Sequence, residues 1–235
     1  MTYAGKLYLN DELIKDLIIP EGVSEINNCA FRGCTSIESV SFTSNVKNIG
    51  EYSFKDCINL NSLTMPEGVE EIGRNAFEGC TSLAKVTIPN GVSKIREQTF
   101  YGCSKITTVI MPNSVETIGW DAFRDCTSLI NVTVSNKLTS IGSHAFMNCT
   151  SLVNVVIPEG VNSIEYSTFE GCTGVANVTI PISVTKIAGA AFGNCTNLSA
   201  IYYNGNEDEW NAIEKDHSWI WGPKDVKVYV NTTTE

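Results

Sequence analysis

Cysteine recurs at a fixed step of 23 residues, at Cys34, Cys57, Cys80, Cys103, Cys126, Cys149, Cys172 and Cys195. Phenylalanine keeps the same step from Phe31 through Phe77 and Phe100 to Phe192, and isoleucine from Ile26 through Ile72 and Ile95 to Ile187. No insertion or deletion disturbs these columns. A period of roughly 20–50 residues means stacked repeats, each too small to bury its own apolar face, so that neighbours must seal one another.

Each unit has two halves. The first reads L-x-x-V-x-I, as in Leu83, Val86 and Ile88 or Leu129, Val132 and Val134. Its last three positions alternate apolar, polar, apolar, which predicts a half-buried strand. Proline follows directly in most copies (Pro20, Pro66, Pro89, Pro112, Pro158, Pro181). Lacking an amide donor, it ends the ladder and starts a corner. The second half reads V-x-x-I-G-x-x-A-F-x-G-C. Val69 and Ile72 predict a short extended piece, and Ala76 and Phe77 a single helical or 3₁₀ turn. The position before cysteine holds Gly79, Gly102, Gly171, Asp56, Asp125, Asn148 and Asn194. These are the residue types that tolerate a left-handed backbone.

The expected fold is a leucine-rich-repeat solenoid of about eight 23-residue repeats. It is a right-handed coil with a parallel β-sheet on one face and short strands or helical turns on the other, with strands about 4.8 Å apart. Residues 1–12 are expected to form a tail and hairpin cap, 13–203 the solenoid, and 204–235 a C-terminal cap. Residues 1–5 read as a frayed end. Lys6–Leu9 and Leu13–Ile19 read as two strands joined at Asn10-Asp11-Glu12, the first covering the open end of the stack. Asn206 and Glu209 have the spacing of a capping box, opening a helix that ends near Lys215. Trp210, Trp219 and Trp221 are expected to seal the last turn, Val226, Val228 and Val230 to make a closing strand, and 231–235 a polar tail.

The chain is 43% hydrophobic and 18% charged, a composition that buries a core. Its net charge of −10 disfavours nucleic acid, whose phosphates need clustered Lys and Arg. No apolar run approaches the roughly 20 residues of a membrane span, and MTYAGKLYLN lacks a hydrophobic signal segment. Phosphate-loop, dinucleotide, GxSxG and HExxH patterns are missing, so neither an enzyme nor a cofactor is expected. His144 and His217 have no sequence-local acid or nucleophile partner, and His144 falls in a variable polar column (Cys29, Tyr52, Asn75, Gln98, Asp121, His144, Ser167, Ala190) where a solvated side chain is the default. The cysteine ladder reads as reduced, buried thiols, because stacked parallel strands hold Cβ atoms farther apart than the roughly 3.8 Å of a disulfide. Without CxxC pairs, no metal is expected. Cys29 is the thiol expected to be exposed.

The motif L-x-x-V-x-I-P-x-G-V-x-x-I-G-x-x-A-F-x-G-C resembles the BspA-like, Treponema-type leucine-rich repeat, over residues 13–203. YYNGNEDEWNAI and KLYLNDELIKDLIIP resemble the end and start caps of that family. The resemblance implies a surface or secreted protein of a bacterium or protist, and adhesion to host matrix proteins or other cells. The asparagine ladder of typical leucine-rich repeats is not there; its place holds Gly22, Asn45, Gly68, Gly91, Ser114, Lys137, Gly160 and Ser183.

The surface with most to offer a partner is the outward side of the first strand. Its x positions are nearly uncharged. Ile110, Ile130, Val153 and Val156 are expected to form one apolar patch there, edged by Thr108, Asn131, Thr133 and Asn154. Tyr101, Trp120 and Tyr166, with Arg124 and Met147, form a second candidate group on the turn side. The expected function is protein–protein interaction or adhesion. The chain would be a monomer at the cell surface or outside the cell and would bind a protein ligand, host extracellular matrix included; an intracellular or structural scaffold is the alternative.

Overall fold

In the computed structural model, which describes residues 2–3, 5–42 and 46–231, the central Val of L-x-x-V-x-I points inward from a strand of three or four residues. Successive copies pair in parallel at a constant offset, Val86 opposite Val109 and Val109 opposite Val132. The Ile of the second half lies in a two-residue strand, and these stack likewise, Ile95 on Ile118 on Ile141. The product is a parallel β-solenoid of about nine turns with little helix. Asn45, in the corner column, and the terminal residues 1 and 232–235 lie outside the described residues.

The third side of the coils is a turn, not the helical or 3₁₀ turn expected; in the last coil it includes a short strand, Phe192–Gly193, paired in parallel with Ile220–Trp221. Its amides alternate in direction. Those of Asn75, Phe77 and Gly79 donate to Glu97, Thr99 and Tyr101 of the next coil, whereas those of Ala76, Glu78 and Cys80 donate back to Gly73, Asn75 and Phe77. A helix would keep every amide within its own coil. Two left-handed residues per coil, Asn75 (φ 56) and Gly79 (φ 72) in this copy, turn alternate amides outward.

The phenylalanines stack through the length of the core. From Phe54 to Phe192 successive ring centroids lie 5.4–5.5 Å apart with planes within 8° of parallel. At that spacing parallel rings are offset stacks, the favoured arrangement. Phe77 and Phe100 therefore share one core, each covering the other. All nine cysteines are free; eight are buried and Cys29 is exposed.

The ends depart from expectation in four places. Thr2–Tyr3 is no frayed end; it pairs antiparallel with Lys6–Leu9. Leu13–Ile19 is not one strand. Glu12–Leu13 closes a hairpin on Tyr8 and Leu9 across the left-handed pair Asn10 and Asp11, and Asp16–Ile19 starts the solenoid sheet by pairing with Ser39–Phe42. The C-terminal helix has the capping box between Asn206 and Glu209 but ends at Ala212, because Glu214–Lys215 is taken into the second sheet beside Lys186–Ile187. Trp219 meets Phe192 edge-on at 6.2 Å and Trp210 packs on Trp219, while Trp221 is left 47% exposed. Lys227–Val230 extends the first sheet beside Ala200–Tyr203.

Candidate functional site

The outward side chains of the first sheet stand where strand alternation puts them. Ile110, Ile130, Val153 and Val156 are 39%, 43%, 42% and 60% exposed. Asn131, Thr133 and Asn154 are exposed as well, and Thr108 is half-buried. Thr108 lies opposite Asn131, and Ile110 opposite Thr133.

The structure does not join these residues into one continuous patch. The first sheet is interrupted twice, between Ser62–Thr64 and Lys85–Thr87 and between Asn131–Thr133 and Asn154–Val156, and the second sheet parts at the same two levels. The second seam runs through the candidate surface. Ile110 and Ile130 lie on one side of it, Val153 and Val156 on the other. Between the halves a crevice of about 30 Å³ reaches the core, lined by Val132, Val134, Val155, Ile157, Phe146 and Phe169 with Asn154 the polar residue among them. A space of that size admits a water or a methyl-sized group. Nothing in the repeat pattern of the strands themselves announces the seam.

The second group, on the turn side, is also divided. Arg124 lies over the Tyr101 ring at 5.7 Å, whereas Tyr166 meets His144 edge-on. Trp120, 48% exposed, borders an open groove floored by Gly119 and Gly142. The polar column expected to be solvated is partly buried, with Asn75, Asp121 and Ser167 at 4%, 6% and 0% exposure and His144 half-buried. It forms a chain of contacts: Asn75 Nδ2 donates to Gln98 Oε1 at 2.9 Å, and Gln98 Nε2 to Asp121 Oδ2 at 3.5 Å. Arg124 Nη1 stands 3.4 Å from the Asp121 carboxylate, which offsets the cost of burying that charge. Every member of the column is left-handed, with φ from 53° to 59°. The available signal is an exclusion: none of its eight residues is β-branched, the class that tolerates that region least.

Burial raises the thiols of the cysteine ladder above the ordinary thiol value, Cys57 and Cys195 to about 12, so they stay protonated near neutral pH and offer no thiolate nucleophile. Among the described residues no group of three or more His, Cys, Asp or Glu is placed to hold a metal ion, and no helix is long and apolar enough to cross a membrane.

The BspA type leucine rich repeat region, in six copies, matches residues 5–130 and 116–213. The chain belongs to this family. Its structural neighbours include a leucine-rich cell surface protein from Faecalibacterium prausnitzii, 30% identical over 87% of this chain and 64% of that one, with a TM-score of 0.59. The Treponema pallidum leucine-rich repeat protein is 27% identical over 87% of this chain and 86% of its own, at a TM-score of 0.56. A leucine-rich repeat protein from Bacteroides ovatus, 24% identical over 93% of this chain and 66% of that one, has the same fold at a TM-score of 0.65. The chain spans about two thirds of the length of the F. prausnitzii and B. ovatus proteins. No curated protein matches it. Family and neighbours together support a protein-interaction module, in a solenoid family that is generally non-enzymatic.

Proposed function

We propose that the chain is an adhesive protein-binding module of a cell surface. It holds a host or partner protein, extracellular-matrix proteins included, against the outward side of its first sheet. Ile110, Ile130, Val153 and Val156 supply the apolar contact, and Thr108, Asn131, Thr133 and Asn154 the polar edge. The module works as a monomer, without cofactor or catalysis. The observation that carries this is the group of exposed aliphatic side chains on a nearly uncharged, preformed sheet. Exposed apolar area marks interfaces, and the paired strands on each side of the seam order little on binding. Placement at the cell surface is supported by the description of the F. prausnitzii relative.

The test begins with a pull-down against matrix proteins and bacterial surface proteins, followed by Ile130→Asp plus Val153→Asp measured against whatever is captured. Each aliphatic contact is worth about 1.5 kcal/mol or more, so binding should fall by at least about tenfold per position with the melting temperature unchanged. Ile182→Asp, exposed but outside the patch, serves as the control. Undiminished binding by the folded double variant would refute this surface as the site.

A further inference from the structure

The two seams coincide with two departures in a single column. At five junctions the residue after the second-strand Ile donates its amide to the coil beneath: Gly50 to Ile26, Gly73 to Ile49, Gly119 to Ile95, Gly142 to Ile118 and Ala188 to Ile164. The corresponding amides of Arg96 and Glu165 make no such bond among the described residues, and these are the levels at which both sheets part. The glycines show how closely the coils approach at this position. A Cβ on Gly73, Gly119 or Gly142 would lie 2.5, 2.7 or 2.6 Å from a backbone nitrogen of the coil beneath. Ala188 keeps its bond, and in the C-terminal cap Asp216, next after the residue paired with Ile187, donates to Ile187 in the same way, so a Cβ is accommodated. Within the 23-residue repeats the long side chains at this position are Arg96 and Glu165, and they coincide with separation.

A second feature accompanies each seam. Five residues before Arg96 and Glu165 stand Gly91 and Gly160, where a Cβ would lie 2.5 Å from the Val69 or Leu138 carbonyl oxygen. At the intact levels of Ser114 and Ser183 the same corner carries a hydroxyl that donates to Val92 and Val161 at 2.8 Å. The intact level of Gly68 and Gly73 has a corner glycine without a counterpart of Arg96 or Glu165 above it, so the glycine accompanies a seam only together with the long side chain. The turn side stays closed at both seams: Phe77 N–H reaches Thr99 O and Phe146 N–H reaches Thr168 O, each at 2.9 Å. Each seam is thus pinched at the corner, zipped along the turns and open across the two sheets.

We propose that Gly91 with Arg96, and Gly160 with Glu165, build two joints at which the solenoid bends, dividing it into three rigid blocks. Bending at the second joint changes the separation of Ile130 from Val153 and the width of the crevice between them. The first joint is latched by the Arg96 guanidinium, 2.5 Å from Glu71 Oε1 across the gap; the second has no such ion pair among the described residues. The inference stands on ladder geometry and is independent of the binding proposal.

Hydrogen exchange on the full chain tests it. In the wild type, the segments 84–88 and 153–157 should exchange at least about tenfold faster than 107–111 and 176–180, because unpaired strand amides lack protection. Arg96→Gly and Glu165→Gly should each slow exchange at their own seam to the level of the intact junctions. Arg96→Ala and Glu165→Ala, which copy the residue type of Ala188, repeat the test without glycine's added unfolded-state entropy. Equal exchange at seam and intact junctions in the wild type, or folded variants that leave the seams unchanged, would overturn the proposal.

Discussion

The thiol of Cys103 donates a hydrogen bond to the carbonyl oxygen of Phe77, 26 residues earlier and 3.1 Å away. The same oxygen accepts the amide of Cys80, so both its lone pairs are engaged. Equivalent bonds run from Cys57 to Phe31 and from Cys195 to Phe169. The cysteine column therefore does more than fill space. It satisfies a buried acceptor on the neighbouring coil with a side chain small enough to fit beside the stacked rings.

Reactivity follows from this placement. A thiol-specific aromatic disulfide reagent should label one cysteine of nine in the folded protein, Cys29, and all nine after denaturation. Rapid labelling of two or more thiols under native conditions would contradict the buried ladder.

Alkaline pH should unfold the protein for the same reason. Burial raises Cys57 and Cys195 to about 12 and carries Cys80, Cys103, Cys149 and Cys172 well above the ordinary thiol value. The unfolded chain ionises these thiols first. Stability is therefore whole below about pH 8.5 and declines as pH rises toward 12, each buried thiol costing about 1.4 kcal/mol per pH unit. Urea midpoints should be level between pH 7 and 8 and drop steeply by pH 10; a level profile to pH 10.5 would count against the ladder.

Removing one ring should be felt on both sides. Phe100 is fully buried and stacks on Phe77 and Phe123. Phe100→Ala should cost about 3–5 kcal/mol, read as a lowered urea midpoint. A double-mutant cycle with Phe123→Ala should show coupling above about 0.5 kcal/mol; strict additivity would mean the rings act separately.

The left-handed column makes a prediction about shape in place of size. Gln98 has φ 53. Gln98→Val should destabilise by about 1–3 kcal/mol, whereas Gln98→Asn should stay within about 1 kcal/mol of the wild type. Thermal melts of the pair decide it, and equal effects would refute the strain argument.

Period, core columns and the stacked rings can be read directly, because a buried position in a solenoid repeats its environment eight times and so repeats its residue. Gly79 and its counterparts are readable for the same reason, since Gly, Asn and Asp share one backbone property. The column of Cys29, Tyr52 and Ala190 hides an equally firm constraint, because a left-handed backbone excludes residues without choosing one. The seams are harder still. Arg96 and Glu165 look like ordinary surface charges until the close packing over Gly73 and Gly142 is seen. Strand alternation locates the candidate patch, but its division at Ile130 and Val153 coincides with a residue in a different part of the coil, Glu165. The helix stops short of its expected end because Glu214 and Lys215 favour a helix locally and are claimed by pairing with Lys186 and Ile187.

The alternation of amide direction around Phe77 sets how such a molecule changes length. Half of the turn's donors shape a coil from within, and the other half meet an identical row above, so a duplicated unit of 23 residues would find a matching face on either side. An increment of 22 or 24 would put every inward ring outward and every outward amide against the wrong acceptor. Growth by whole copies leaves the architecture intact, and slippage by one residue does not.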